Sequence, residues 1–220
     1  MSKNGWIPLN AHIVAWASVV GNREKNGPIG ECFDMFDPTD KFGQKTWEKA
    51  ESEMQRRALN LALKKSERSE CDLSAIFAGD LLNQCVGSAY GLMDFPAPYF
   101  GLYGACSTMA EGLILSGICT TYRVFELCAA VASSHYCTAE RQYLTPIEYG
   151  GQRAPTAQWT VTGAGAYLVA HGRGEVELAS AMPGVVVEKG VTDTSNMGAA
   201  MAPAALDTLV RFFGATARDP

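Results

Sequence analysis

The pattern of apolar and polar positions predicts one helix with particular clarity. From Thr46 to about Ser66, apolar residues recur every three or four positions with charged residues between them, the spacing that turns one face of a helix toward a core. Thr46 is a residue type that caps free backbone amides, and Glu48 in the first turn suits the positive end of the helix dipole. The apolar positions are Trp47, Ala50, Met54, Ala58, Leu61 and Ala62.

Short apolar runs, bounded by Gly, Pro and polar clusters, predict the strands. They are His12–Val20, Leu73–Ala78, Tyr99–Tyr103, Val124–Ala132, Gly165–Ala170 and Val176–Ala181. Further helices are predicted at Leu81–Met93, Ser107–Thr120 and Pro203–Phe213. This alternation indicates an α/β fold with a mixed or parallel sheet. The uninterrupted apolar run Val124–Ala132 predicts a central strand that is covered on both faces.

Two segments differ from ordinary helices and connections. Ser107–Thr120 carries a single charge, Glu111, so we expect a central helix that is almost wholly buried. The Gly- and Pro-rich segment at about residues 133–160 is too long for a simple connection, and it predicts a functional loop over the sheet.

Composition and charge narrow the possible classes of protein. The chain has 220 residues and a net charge of −5 without a concentrated basic face, which argues against nucleic-acid binding. We expect neither a signal peptide nor a transmembrane segment, so that any membrane association is peripheral. The seven cysteines are scattered without CxxC spacing, which favours reduced thiols over disulfides or a zinc site, and no motif calls for a cofactor.

Cys106 stands where a predicted strand turns into the predicted central helix. Free backbone amides and the positive end of the helix dipole would then lie near its sulfur and favour the thiolate. Such a thiolate is suited to acyl transfer, and the same amides can bind a carboxylate without reaction. The alternative is that Cys106 is a small buried residue like Cys119 and Cys128.

The end of the predicted central strand supplies the second group of candidates. His135 follows this strand directly, where α/β sheets commonly present ligand contacts, and Ser134 and Cys137 flank it. His135 and Cys137 offer only two ligands, so no metal site is predicted.

Downstream, the predicted loop brings cationic, amide and aromatic groups into one span. These candidates are Arg141, Tyr149, Gln158 and Trp159. An arginine can clamp a carboxylate and aromatic rings can stack on a flat ligand, so the span suits a planar acid. The alternative is that Glu140 and Glu148 neutralise the arginines on a solvated surface.

Several motifs together resemble the stage V sporulation protein AD family of thiolase-like proteins. They include Leu102–Thr108, Ala132–His135, Glu148–Gln152, Pro155–Gly165, Gly79–Gln84 and Asn196–Pro203, so the resemblance spans nearly the whole chain. It implies a layered αβαβα fold related to ketoacyl synthases, with Cys106 at the position of the thiolase nucleophile. It further implies that residues 1–220 form the N-terminal half of that fold and that the second half, which normally supplies the catalytic His and Asn, is absent.

The resemblance also implies a function. The family is implicated in taking pyridine-2,6-dicarboxylate (dipicolinate) into the developing spore, so dipicolinate is the expected ligand and membrane subunits of the uptake complex are the expected partners. The expected location is the cytoplasmic face of the forespore inner membrane, and a homodimer is possible. Without partners from a second half, Cys106 would lose most of its catalytic advantage, which argues against enzymatic activity. The alternative is an acyltransferase that uses Cys106 as its nucleophile, and a third reading is a structural partner that binds nothing small.

Overall fold

The computed structural model describes residues 5–143, 159–172, 174, 176–193 and 196–217. The chain divides into two compact units, one formed by residues 11–177 and the other by residues 1–10 together with 178–220. The first unit contains most of the strands of the sheet and the helices that position the candidate residues.

Strands and helices alternate along the described residues, which confirms the predicted α/β class. The strands are β1 (Ile7–Gly21), β2 (Met35–Asp37), β3 (Ala75–Gly79), β4 (Tyr99–Gly101), β5 (Leu127–Ser134), β6 (Gly163–His171) and β7 (Val176–Ala181). The helices are α1 (Asn22–Lys25), α2 (Trp47–Lys65), α3 (Val86–Gly91), α4 (Thr108–Thr121), α5 (Tyr136–Tyr143) and α6 (Met197–Thr216).

The sheet is mixed, and its strand order is β2-β1-β6-β5-β3-β4, with β7 paired to β1 outside this order. β3 pairs in parallel with β4 and β5, and β1 pairs in parallel with β2. β6 runs antiparallel to both β1 and β5, so β1 to β5 all point the same way. β5 lies inside the sheet with its first five residues buried, as predicted for the central strand.

α2 covers one face of the sheet and accounts for most of the core. Ala50, Met54, Ala58 and Leu59 are fully buried among alternate residues of β1, β3, β5 and β6. Thr46 caps the helix by accepting a hydrogen bond from the amide of Lys49, as its sequence position predicts. The predicted amphipathic helix is therefore confirmed almost to the residue.

α4 lies on the opposite face, beside Ala75, Phe77 and Cys128, but it is not the almost wholly buried helix that its composition predicts. The buried residues of this helix are Thr108, Gly112, Ser116, Gly117 and Thr120. The larger side chains Leu113, Ile114 and Ile118 are only half-buried. Small residues allow the helix to approach the sheet closely, and Leu115 packs against the sheet beside them.

Three predicted boundaries are wrong for local reasons. The helix predicted at Leu81–Met93 is limited to α3, because Gln84 and Cys85 adopt left-handed backbone conformations. The predicted loop starts later, since β5 continues to Ser134 and α5 follows it, while residues 144–158 lie outside the described part of the chain. In the second unit, α6 begins at Met197 with Asn196 as its cap, so that Pro203 lies inside the helix.

Candidate functional site

The candidate residues gather where the parallel strands end. Because β1 to β5 point the same way, the residues that follow each of them reach one edge of the sheet, here called the carboxyl edge. The segment that leads into β6 reaches the same edge, since Gly163 pairs with Ser134. Ligand sites in α/β sheets commonly lie at such an edge.

Cys106 occupies a short 3-10 turn, Ala105–Ser107, between β4 and α4, and it is exposed. The exposure contradicts the alternative that this residue is inert packing. Ala105 is held in the left-handed region at φ 46°, a strained conformation of the kind that often accompanies functional turns. Within the described residues, no side chain caps the turn or α4, so the start of this helix can receive an anion.

The approach to Cys106 is fixed by backbone contacts beside β3. The amide of Leu102 donates to the carbonyl of Ala78 at 2.8 Å, and the thiol of Cys85 donates to the carbonyl of Leu102 at 3.1 Å. Gly79 lies so close that an added Cβ would stand 2.3 Å from the Leu102 oxygen. The absence of a side chain at this position therefore allows the chain to enter the turn that carries Cys106.

His135 is fully buried on the α2 side of the sheet, whereas Cys106 precedes the helix on the other side. The imidazole Nδ1 accepts from the amide of Cys137 at 3.1 Å, so Nε2 carries the proton and donates to the carbonyl of Asp40 at 2.9 Å. The ring also packs 5.1 Å from that of Trp47. Burial lowers the pKa of His135 and favours this neutral form. Nε2 thus holds the loop before α2, and Nδ1 holds the first turn of α5.

Trp159 takes part in a three-layer stack at the carboxyl edge. Its ring stacks on Tyr136 with the centroids 4.8 Å apart, and the guanidinium of Arg23 lies 3.7 Å from the ring centroid. Arg23 is exposed and Trp159 is 38% exposed. Arg23 was not among the residues predicted from the sequence, because only the pairing of β1 with β6 brings α1 beside a residue so distant in the sequence.

The other predicted ligand residues lie in different surroundings. The hydroxyl of Ser134 donates to the carbonyl of Val161 at 2.6 Å. Arg141 forms an ion pair with Glu48 and lines a groove of about 270 Å³ between α2, α3 and α5. Burial raises the pKa of the Cys137 thiol, which disfavours its thiolate. Tyr149 and Gln158 lie outside the described residues.

A buried polar cluster below the carboxyl edge was not anticipated from the sequence. Glu51 accepts hydrogen bonds from the hydroxyls of Ser133 at 2.9 Å and Thr138 at 2.8 Å. The side-chain amide of Gln55 donates to the hydroxyls of Ser88 at 2.8 Å and Ser133 at 2.7 Å. Glu51 and Gln55 are both fully buried, and burial raises the pKa of Glu51 to about 7.

Asp80 extends this cluster toward α3. One carboxylate oxygen accepts from both the amide and the hydroxyl of Ser88 at 2.6 Å, and the other accepts from the amide of Leu82 at 2.8 Å. Asp80 therefore caps the first turn of α3, the structural role that its position before a helix suggests. Glu51 and Gln55 lie among the charged and polar residues between the predicted apolar positions of α2, and only the packing of α3 and α5 over them explains their burial.

The described residues also bear on metal binding and membrane insertion. They contain no group of three or more His, Cys, Asp or Glu side chains arranged to hold a metal ion. Among the same residues, no helix combines the length and the apolar character that a membrane span needs.

The comparisons with known proteins bear on these features. The sequence profile of stage V sporulation protein AD matches residues 3–220. The chain belongs to the stage V sporulation protein AD family. The stage V sporulation protein AD of Bacillus subtilis (strain 168) is 40% identical over 196 residues, which cover 89% of this chain and 58% of that protein. This family member therefore spans less than two thirds of the length of its relative.

Solved structures confirm the thiolase-like fold. Cerulenin-bound OleA from Xanthomonas campestris superposes with a TM-score of 0.63 at 12% identity, covering 100% of this chain and 76% of that one. The 3-oxoacyl-(acyl carrier protein) synthase III FabH from Xanthomonas oryzae pv. oryzae gives a TM-score of 0.60 at 12% identity, covering 97% and 75%. At this identity the likeness establishes the fold of the sporulation protein alone.

Proposed function

We propose that this sporulation protein binds dipicolinate and takes part in its uptake into the developing spore. The observation that carries the proposal is the stack of Arg23, Trp159 and Tyr136 at the carboxyl edge. Dipicolinate is a flat aromatic ring with a carboxylate on either side of its nitrogen. The exposed guanidinium is suited to pair with one carboxylate, and the exposed edge of the indole is suited to an edge-to-face contact with the ring.

The proposal changes the roles of the residues expected from the sequence. Arg23 and Trp159 are the proposed ligand contacts. His135 and Ser134 support them by fixing the chain immediately before Tyr136, since the side chain of each is hydrogen-bonded to a backbone carbonyl. The amides at the start of α4, beside Cys106, are a second place at the carboxyl edge where a carboxylate fits.

Calorimetric titrations of matched variants test the proposal. We expect Arg23→Gln and Trp159→Leu each to weaken dipicolinate binding by at least about tenfold, the equivalent of 1.4 kcal/mol. Trp16→Leu is the matched control, because Trp16 is 37% exposed and lies under a cation, Lys65, away from the carboxyl edge. Picolinate, which lacks one carboxylate, should bind more weakly than dipicolinate. Equal affinities for the Trp159 and Trp16 variants would refute this placement.

Acyl transfer through Cys106 is a second candidate function, favoured by the exposure of this thiol at the start of α4. Its thiolate would attack the carbonyl carbon of a thioester, release the carrier thiol and retain the acyl group. Intact mass after incubation with an acyl thioester would then show one adduct that is lost in Cys106→Ser and kept in Cys32→Ser, a control at another exposed cysteine. An unchanged mass would exclude this candidate.

We further propose that the protein acts at the cytoplasmic face of the forespore inner membrane, docked peripherally on membrane subunits of the uptake complex. Membership of the stage V sporulation protein AD family supports this location. Fractionation of sporulating cells tests this location. A peripherally docked protein should sediment with the membranes and should be released from them by a wash that contains no detergent.

A further inference from the structure

Glu51 is a buried carboxyl group whose neighbours suit two protonation states. Its hydrogen-bond partners are the hydroxyls of Ser133 and Thr138. Both donate to it when it is ionised. Since each hydroxyl carries a single proton, the Thr138 hydroxyl can serve only one acceptor at a time.

Thr138 has a second acceptor within reach. Its hydroxyl lies 2.8 Å from a carboxyl oxygen of Glu51 and 3.0 Å from the carbonyl of His135. When Glu51 is protonated, its own O–H can donate to the Thr138 oxygen while the Thr138 hydroxyl donates to His135. The protonated state thus forms a continuous chain of hydrogen bonds from α2 through α5 to the end of β5.

The charges around Glu51 favour its protonated state. The charge that acts on it is the carboxylate of Asp80, which is 6% exposed and repels a second negative charge. The facing elements α3 and β5 contribute the hydroxyls of Ser88 and Ser133. The cation of α5, Arg141, is paired with Glu48, and His135 is bonded to Asp40.

We propose that Glu51 is a proton-controlled clamp, which holds α5 firmly against α2 when it is protonated and weakens that contact when it ionises. α5 connects the end of β5 to the segment after residue 143, so the clamp regulates how firmly one side of the carboxyl edge is held. The inference does not depend on the nature of the ligand.

The direction of the pH effect follows from the pKa of Glu51, which burial raises from 4.5 to about 7. Opening of α5 admits water and returns the carboxyl toward its ordinary pKa. The stabilising proton is therefore fully held below pH 4.5 and is lost as the pH rises through about 7. Between pH 5 and pH 8 the opening equilibrium of α5 should rise by roughly 70-fold.

Hydrogen exchange of the whole chain, corrected for the intrinsic pH dependence of amide exchange, measures this opening at the amides of α5. In the native sequence we expect protection of α5 to fall by that factor between pH 5 and pH 8. Glu51→Gln carries a permanent donor in place of the titrating oxygen and should show a flat profile. Glu53→Gln removes a carboxylate from the same helix whose ion-pair partners, Arg56 and Arg57, lie on α2 itself rather than on α5, so it should keep the native pH dependence of α5.

Two results would overturn the proposal. One is protection of α5 in the native chain that does not change over this pH range. The other is a Glu51→Gln profile that follows the native one, since the titrating group would then lie elsewhere. Dipicolinate is absent from this experiment, so its outcome is separate from that of the binding proposal.

Discussion

Replacing Gly79 with alanine tests whether the close contact below the Cys106 turn is a structural requirement. The added Cβ would stand 2.3 Å from the carbonyl oxygen of Leu102 and 2.9 Å from Cγ2 of Thr108. The first neighbour is backbone, which cannot turn aside, so β4 or the start of α4 must move. Such overpacking typically costs 1–3 kcal/mol, and the upper end, about 3 kcal/mol, is expected here.

Gly165→Ala is the matched control for this prediction. Gly165 also lies in a strand below α4, but its added Cβ would meet only Cε of Met109 at 3.5 Å, an ordinary contact. Because alanine lowers the entropy of the unfolded chain, this variant should be unchanged or stabilised by about 0.5 kcal/mol. Urea unfolding of both variants provides the free energies. Equal stability of the two would refute the reasoning that Gly79 sets the entry to the Cys106 turn.

The remaining predictions concern a buried histidine, a buried thiol and an exposed strand. Burial lowers the pKa of His135, so its contribution to stability is present above pH 6.5 and is lost as the pH falls. The difference in urea midpoint between the native chain and His135→Asn should therefore shrink toward acid pH. Burial raises the pKa of Cys128 from 9.0 to about 12, so iodoacetamide should alkylate it about 1,000-fold more slowly than an ordinary exposed thiol. Equal alkylation rates for Cys128 and Cys32 in peptide mass spectrometry would contradict the burial of Cys128. Phe100 is 42% exposed on the edge strand β4, so if the protein forms a homodimer through this strand, Phe100→Lys should shift it toward the monomer. Light scattering at equal concentration measures the mass, and an unchanged mass would exclude this interface.

Local signals in the sequence were sufficient to predict those helices and strands whose formation depends on their own residues. Thr46 and the spacing that follows it predict α2, and the unbroken apolar run predicts β5 as a strand inside the sheet. The resemblance to the sporulation family, carried by motifs along the whole chain, agrees with both the sequence comparisons and the fold.

The sequence alone does not predict features that depend on contacts between residues far apart in the chain. The composition of α4 indicates an apolar helix but does not reveal that its fully buried positions are glycines, serine and threonines, while Leu113, Ile114 and Ile118 stay partly exposed. Glu51 is charged and lies among other charged residues of α2, so only the packing of α3 and α5 explains its burial. The contact between Arg23 and Trp159 depends on strand order, which local periodicity does not encode.

The short left-handed turns are a related case. Gln84 and Cys85 interrupt a segment whose composition suits a helix, because the Asp80 carboxylate draws the amides of Leu82 and Ser88 around itself. The left-handed turn at Gln84 and Cys85 is thus stabilised by the buried side chain of Asp80, which outweighs the helical preference of the segment. A prediction from propensity therefore extends the helix too far on its N-terminal side.

A calorimetric titration of the native chain with dipicolinate decides whether the protein has the proposed binding function. We expect saturable binding of one dipicolinate per chain, with no change in intact mass after the titration. Absence of saturable heat from protein that is shown by circular dichroism to be folded would contradict the binding function.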